Sequence, residues 1–438
     1  MGGRKALRSA LALLLVLVTG GVASAGSLTQ IPVKTSPEVK LASARDLSSR
    51  TQKSRAHPGH YDLSASKPSG SKISTRSIEG ATLTPIPVKT SPVNEYTPAA
   101  DGDWFSWAHN SRAHPGHYDL FASKSSASKI KINARRTEGA GGGIDGNLLV
   151  YYQYKGRWAG DVLKFDLRTR RRSRFPDKVN SRYDEHHPTI SGTWLLFTRY
   201  IDTTNTTKVF LYNRATRTLR TLGEESGRNR FVYSGQVNGD YAAWGRVRPG
   251  GQDVFRYHIP TRSNTRIPRP VFAQYNPVVS SNGTMYFTRS EDACGELVEF
   301  VRYPVDGPAT VLYDFPDGVD TGYSYVDERS DGSLHHFYSR YGCRSDRWDI
   351  YKVIDSYTLS VSKDGTGSGT VASDPAGISC GVDCSQTYHG GVTVTLTATP
   401  DPGSTFLGWS DPTCGTNASC AVIIEEDESL TATFALVP

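Results

Sequence analysis

The sequence predicts an all-β protein, a six-bladed β-propeller followed by a small disulfide-containing β module. A strand-like pattern recurs six times at a period in the forties, and residues 356–438 carry four of the six cysteines between alternating strands. Composition agrees, since 42 Gly and 23 Tyr against only 2 Met suit turn-rich β structure better than helical bundles. With 37% hydrophobic residues, the 438-residue chain is too apolar for wholesale disorder.

The first 25 residues have the layout of a secretory signal peptide. Three basic residues precede the apolar run 10–18, and Ala23-Ser24-Ala25 is a small-residue cleavage site. The run is shorter than the roughly 20 residues that a membrane-spanning helix needs. We therefore expect residues 1–25 to be removed and the protein to be secreted or held at the cell surface. A retained anchor is the alternative.

Residues 26–82 are predicted to be a disordered, low-complexity segment and a partial duplicate of residues 86–140. Two motifs occur twice, Ile31–Pro37 as Ile86–Pro92 and Ser54–Leu63 as Ser111–Leu120. The first copy lacks the aromatic strand of the second, so it has no apolar face to bury. A tail that binds a polyanion is the alternative, because residues 26–100 carry ten bases against five acids.

The propeller is predicted at residues 83–355. An aromatic or aliphatic strand follows a glycine-containing turn six times, at steps of 44 to 49 residues. The strands begin at Trp104, Leu148, Trp194, Tyr241, Met285 and Leu334. Such a period with Gly, Asp and Asn turns is typical of four-stranded blades. The sixth unit ends without a fourth strand, so residues 83–90 are predicted to pair with it and close the ring.

Residues 356–438 are predicted to form a separate β module, because their apolar residues alternate with period two. In an exported chain its four cysteines predict disulfides rather than zinc. A metal site is the alternative, but Cys414 and Cys420 are too far apart for a ribbon-type knuckle. Four cysteines allow three pairings, so these residues alone leave the connectivity open.

Two parts of the chain resemble known families. His187–Thr198 and Asn276–Thr288 are similar to the Pro-x-x-Ser-x-x-Gly-x-x-aromatic pattern of TolB-like six-bladed propellers, which include binding scaffolds and domains attached to hydrolases. Phe406–Ser410, Thr431–Phe434 and the cysteine pairs resemble the divergent internalin-type (InlB B-repeat-like) bacterial repeat modules of surface and secreted proteins. This second resemblance implies a stalk or surface-association role. It also implies two local disulfides, Cys380–Cys384 and Cys414–Cys420.

Cys294 and Cys343 occupy the same phase of the repeat, each nine residues after the start of its marker strand. Both therefore fall in the hairpin between the second and third strands of neighbouring blades, five and six. We expect a disulfide between them. It would close a loop of about 50 residues and stabilise the fold by about 4 kcal/mol in the chain-entropy model.

Motifs that could support catalysis or metal binding are weak. Asp184–His187 offers two carboxylates and two imidazoles, but consecutive residues of an extended strand point to opposite sides. A structural role is favoured there, as it is for His335 and His336. The acidic loop Asp314–Asp320 could bind calcium, but an ordinary solvent-exposed loop is the favoured interpretation. Since a Gly-x-Ser-x-Gly nucleophile motif is also missing from the sequence, we predict no catalytic residue, metal or cofactor.

A composite binding face is the favoured site. The loops that enter each first strand and those that join second to third strands share one face of a propeller. Aromatic and cationic side chains there suit polysaccharide stacking or a negatively charged partner, and packing between blades is the alternative. The predicted face consists of His117, Trp158, Tyr183, His186, Tyr200, Tyr233, Arg246, Tyr275, Tyr323, Arg340 and Tyr341.

These observations predict an exported, non-enzymatic binding or scaffold protein whose propeller face binds a cell-envelope polysaccharide or a protein partner. We expect a monomer that binds no nucleic acid and has no transmembrane segment. A secreted propeller hydrolase or lyase acting on glycans is the alternative. The sequence does not identify its carboxylate pair, and loss of turnover when Asp184 and Glu185 are both changed to Ala would test it.

Overall fold

The computed structural model of the chain describes residues 51–53, 61–63, 83–90, 93–110, 118–124, 129–133, 139–155, 159–268, 272–290 and 298–437. Over these ranges the chain forms strands, turns and loops, and no helix. It divides into two units, residues 1–78 and 79–438. The predicted signal peptide and most of the predicted disordered segment lie outside the described residues.

The first unit contains one short antiparallel hairpin, Thr51–Lys53 with Tyr61–Leu63. Thr51 pairs with Leu63 and Lys53 with Tyr61. The same register recurs 57 residues later, where Ala108 pairs with Leu120 and Asn110 with Tyr118. The duplication therefore extends from sequence to local pairing.

In the second unit, six four-stranded antiparallel sheets form the blades of a propeller, as the repeat predicts. In blades 1 to 5 the four strands follow one another in chain order, the first strand lying at one edge of the sheet. They are Glu95–Asp101, Trp104–Asn110, Tyr118–Lys124 and Ile130–Lys131 in blade 1; Gly139–Asp145, Leu148–Lys155, Ala159–Asp166 and Arg171–Arg174 in blade 2; Asp184–Ser191, Trp194–Ile201, Thr206–Asn213 and Thr218–Ser226 in blade 3; Phe231–Asn238, Tyr241–Arg248, Gly251–His258 and Ser263–Arg266 in blade 4; and Ala273–Val279, Met285–Ser290, Val298–Tyr303 and Thr310–Asp314 in blade 5.

Blade 6 combines both ends of the propeller sequence. Its first three strands are Val319–Glu328, Leu334–Gly342 and Arg347–Ile354, and its outermost strand is Ile86–Lys89. Tyr351 pairs with Pro87 and Lys352 with Ile86. The prolines of this segment are tolerated because an outermost strand has one edge without a partner.

The closing strand also contacts blade 1. Val88 packs against a cluster of Trp107 and Phe121 from blade 1 and Ile350 from blade 6. The Lys89 ammonium lies 4.4 Å from the centre of the Trp107 ring. A strand of four residues thus joins the last blade to the first.

Around the axis, the first strands of successive blades pack against one another, and each carries a bulge. In three blades the bulge is a residue with positive φ before a proline, at Thr97, His187 and Asn276. Gly142 and Gly235 face two of these prolines from the neighbouring blades. A Cβ on either glycine would lie 1.9 Å from the carbonyl oxygen of Pro188 or Pro277, so only glycine fits.

One face of the propeller, which we call the turn face, carries the hairpins between first and second strands. Its glycines adopt positive φ, and three of their amides donate hydrogen bonds to side chains of neighbouring blades. Gly239 N–H donates to Ser191 Oγ at 3.1 Å, Gly102 N–H to Asp327 Oδ1 at 3.2 Å, and Gly146 N–H to Asp101. Hydrogen bonds from these three glycine turns therefore connect neighbouring blades.

Residues after Asp355 form the tail, two four-stranded sheets around one apolar core. The first sheet contains Ser385–His389, Ser356–Asp364, Glu428–Leu436 and Ser404–Trp409, and the second contains Ser379–Cys380, Gly369–Asp374, Thr393–Pro400 and Ser419–Ile423. Disulfides join Cys380 to Cys384 and Cys414 to Cys420, the pairing that the resemblance implies. Over the described ranges no helix is long and apolar enough to cross a membrane.

Candidate functional site

The face opposite the turn face, which we call the loop face, carries the starts of the first strands and the hairpins between second and third strands. Aromatic rings cross it close to the axis. The ring centroids of Tyr154 and Tyr152 lie 5.7 Å apart, those of Tyr152 and His187 5.7 Å, and those of His187 and Tyr323 5.3 Å. His187 belongs to blade 3 and Tyr323 to blade 6, so this row spans the ring.

A second row lies on blades 1 and 6. Tyr118 and Tyr96 are 5.2 Å apart, Tyr96 and Trp348 5.7 Å, and Trp348 and Tyr341 4.9 Å. The two rows adjoin at Tyr323. Burial is the main cause that raises the pKa of Tyr323, and the nearby Tyr118 and Tyr96 raise it further. We call the eight residues the aromatic array. Within the array Tyr96 and Tyr152 are buried, and the other six residues are partly exposed.

The array is uncharged at neutral pH. Burial, and then the neighbouring His186, lowers the pKa of His187 well below its ordinary value, so its imidazole is neutral. Its Nε2 lies 3.2 Å from the Tyr323 hydroxyl, a hydrogen bond between opposite blades. Burial raises the pKa of Tyr323, which keeps that phenol protonated. The surface therefore offers ring faces and hydroxyl groups rather than charge.

Asp184 and Glu185, the candidate carboxylates, have different surroundings. Burial raises the pKa of Asp184 to about 6, although its Oδ1 accepts a hydrogen bond from Gly160 N–H at 2.9 Å. Glu185 is buried and bound by Arg199 Nε at 2.6 Å and by the Ser181 hydroxyl at 2.5 Å. Glu185 is therefore held as a structural ion pair. Among the residues that the structure describes, no three His, Cys, Asp or Glu side chains converge as a metal site requires.

Three members of the predicted face were expected at an exposed rim and are instead buried. His186, Tyr233 and Tyr275 are 4%, 5% and 4% exposed. His186 and Tyr275 lie immediately before the bulge of a first strand, and Tyr233 lies one residue further from its bulge. A bulge kinks the strand locally, so side chains beside it need not follow simple alternation. The Tyr233 ring fills the space above Gly245, where a Cβ would lie 2.1 Å from it.

Of the two arginines in the predicted face, one is paired with an acid and the other covers an aromatic ring. Arg246 Nη2 lies 2.9 Å from Asp253 Oδ2, and its guanidinium covers the Phe255 ring at 4.7 Å. Arg340 covers the Tyr351 ring at 4.9 Å. The surface is thus more aromatic and less basic than the sequence suggests.

The other predicted residues differ in their outcome. Tyr323 and Tyr341 belong to the aromatic array. Tyr183 accepts a hydrogen bond from Arg182 at 2.9 Å, and the Tyr200 hydroxyl donates to Asn205 at 3.2 Å. His117 and Trp158 lie outside the described residues.

The predicted face does not contain the other six array members, which are Tyr96, Tyr118, Tyr152, Tyr154, His187 and Trp348. Tyr96 pairs just before the bulge of its strand, as His186 and Tyr275 do, and this alignment is the signal that could have found it.

The remaining candidates have structural surroundings. His336 is buried with its ring 4.1 Å from that of Phe300, and His335 Nδ1 lies 3.2 Å from Lys352 Nζ. Cys343 is disulfide-bonded, and its predicted partner Cys294 lies outside the described residues.

The fold is a six-bladed β-propeller followed by a small β module. Residues 357–438 match the divergent InlB B-repeat domain. No curated protein matches the chain.

Among solved structures, TolB from Acinetobacter baumannii is 14% identical with a TM-score of 0.40, and the match covers 57% of this chain and 64% of that one. A putative TolB from Agrobacterium tumefaciens is 13% identical with a TM-score of 0.42, covering 60% and 91%. The propeller domain of the Trilobed protease from Pyrococcus furiosus is 10% identical with a TM-score of 0.39, covering 60% and 95%.

Proposed function

We propose that this is an exported, non-enzymatic binding protein whose loop face binds a cell-envelope polysaccharide or a protein partner. The observation that carries the proposal is the aromatic array, which places six partly exposed rings on one face. Exposed aromatic side chains offer large, rigid contact area with a polar edge, and such residues dominate binding energy at interfaces.

Stacking and hydrogen bonding should contribute more to this binding than charge. Arg246 is paired within its own blade, and the rings of His187 and Tyr323 are neutral. Binding driven by exposed cations would weaken strongly with salt, because charges are screened beyond about 8 Å at physiological ionic strength. We expect only a modest loss of affinity in high salt.

Export completes the proposal. The signal-like segment 1–25 would direct secretion, and the two tail disulfides suit an oxidising compartment. The mature chain would then act as a secreted or surface-held monomer. Detection of residues 1–25 on the protein recovered from the culture medium would contradict cleavage.

Co-sedimentation of the 26–438 protein with isolated cell-envelope polysaccharide tests the function, with released sugars measured in the supernatant. Retention at both low and high salt without release supports binding through the array. The Tyr323→Ala variant should be retained less. A matched control is Tyr241→Ala, which removes a ring stacked 4.7 Å from His258 on the turn face and should be retained as the wild type is. Equal retention of both variants would contradict the assignment of the loop face.

The alternative function, glycan hydrolysis or cleavage, requires two carboxylates free to act on the substrate. Asp184, with a pKa of about 6, is the better candidate acid, but Glu185 is committed to Arg199. Sugar release that is lost in Asp184→Asn would establish the alternative. Release without dependence on Asp184 would place catalysis elsewhere on the chain.

A further inference from the structure

The tail makes close polar contacts with blades 5 and 6. Arg302, in the third strand of blade 5, is fully buried. Its Nη1 donates to Asp355 Oδ1 at 2.6 Å, and its Nη2 donates to Glu425 of the tail. Tyr286 O–H donates to the other oxygen of Asp355 at 3.0 Å. One guanidinium therefore joins the propeller, the connecting residue and the tail.

This arrangement keeps Arg302 ionised. Burial alone would lower the pKa of Arg302, but Asp355, Tyr286 and Glu425 raise it above its ordinary value. An arginine without solvent contact needs carboxylate partners, and Glu425 from the tail is one of only two that the described residues supply to it. Removing the tail's carboxylate would leave part of this charge uncompensated.

Backbone packing at the same joint is tight. A Cβ at Gly390 would lie 1.7 Å from Arg302 Nη1, and a Cβ at Gly332 would lie 1.9 Å from the Thr387 carbonyl oxygen. Gly390 N–H donates to the Asp355 carbonyl at 3.2 Å. Glycine is required at position 332 because two backbones approach closely there, and at position 390 because the Arg302 guanidinium and the Asp355 carboxylate occupy the space of a Cβ.

All of these propeller groups lie on the turn face. Gly332 is in the hairpin between the first and second strands of blade 6, and Asp355 directly follows its third strand. Gln386 of the tail donates to the Asp331 carbonyl of that hairpin at 3.2 Å. Tyr323 and Tyr341 lie toward the opposite ends of the blade 6 strands.

We infer that the tail is rigidly attached to the propeller and is not a flexible stalk. It is held on the turn face of blades 5 and 6 through Arg302, so the aromatic array faces away from the tail. If the tail associates with the cell surface, the array then points outward. This attachment of the tail to the propeller does not depend on which ligand the array binds.

Hydrogen exchange on the full 26–438 protein tests the joint, read at peptides that cover residues 386–391 and 425–428. Glu425→Gln should increase exchange in both peptides by about tenfold or more, because Arg302 loses a carboxylate. Glu426→Gln changes the neighbouring exposed acid and should leave exchange unchanged. Equal exchange in wild type and Glu425→Gln would overturn the inference.

Calorimetry supplies a second test. The wild type should unfold with the tail and blades 5 and 6 in one transition, and Gly390→Ala should separate a tail transition from that of the propeller. Two independent transitions in the wild type would also overturn the inference. Failure of Gly390→Ala to fold would agree with it, provided that Gly381→Ala, at a tail glycine with space around it, folds normally.

Discussion

Closure of the propeller by the strand Ile86–Lys89 can be tested sharply, because Val88 of this strand has a counterpart, Val33, in the upstream copy of the same motif. Val88→Asp places a carboxylate against Trp107, Phe121 and Ile350. Val88 is only partly buried, so it contributes less than the roughly 1.5–3 kcal/mol of a fully buried valine, and each ladder hydrogen bond adds about 0.5–1.5 kcal/mol. Detachment of this short strand should therefore cost about 2–4 kcal/mol, a fall in Tm of roughly 4–16 °C.

Thermal unfolding monitored by near-ultraviolet circular dichroism measures this change. Val33→Asp is the matched control, because Val33 occupies the same place in the upstream copy Ile31–Pro37. It should leave the Tm within about 1 °C of the wild type, because the sequence predicts that residues 26–82 are disordered. An unchanged Tm for Val88→Asp, or an equal fall for both variants, would refute the closure argument.

Three further predictions concern stability, all measured by chemical or thermal denaturation. Gly235→Ala should cost about 3 kcal/mol or more, since its Cβ would overlap the Pro277 carbonyl oxygen; a fully stable variant would contradict the packing at the axis. Asp355→Asn should cost about 3–5 kcal/mol by leaving Arg302 buried with one carboxylate fewer, and a loss below about 1 kcal/mol would argue against the network. Burial lowers the pKa of His336 to about 3, so the unfolded chain takes up a proton near pH 6.5 that the folded chain refuses. The stability of His336→Phe should therefore rise relative to the wild type as the pH falls from 6.5, by up to about 1.4 kcal/mol per pH unit, and a constant difference would contradict this.

The blades were predictable because their signals are local. Trp104, Leu148, Trp194, Tyr241, Met285 and Leu334 each begin the second strand of a blade. Period, turn residues and alternation lie within a few dozen residues of one another, so they survive in the sequence as a pattern.

The direction of side chains beside the bulges was not predictable from alternation. A bulge adds a residue to one strand and interrupts the alternation of faces along it, so alternation alone does not specify that Tyr233 and Tyr275, close to two bulges, are buried. The pairing of Arg246 with an acid could partly be predicted from the sequence, because an acidic residue recurs near the start of the third strands. Asp253, which binds Arg246, is one example.

The array itself depends on closure of the ring. Tyr96 and Trp348 are 5.7 Å apart in space but belong to the first and last blades. No periodicity within the sequence specifies which residues meet across that seam. Only the closed geometry brings them together with Tyr323.

Affinity for the polysaccharide tests the central claim most directly. Equilibrium binding of solubilised cell-envelope polysaccharide should be measured for the wild type, for Tyr323→Ala with Trp348→Ala, and for the turn-face control Tyr241→Ala. Because each stacked ring contributes about 0.5–1.5 kcal/mol beyond its buried area, the double variant should bind at least about tenfold more weakly. The control should bind as the wild type does. Equal affinities for all three folded proteins would contradict the account.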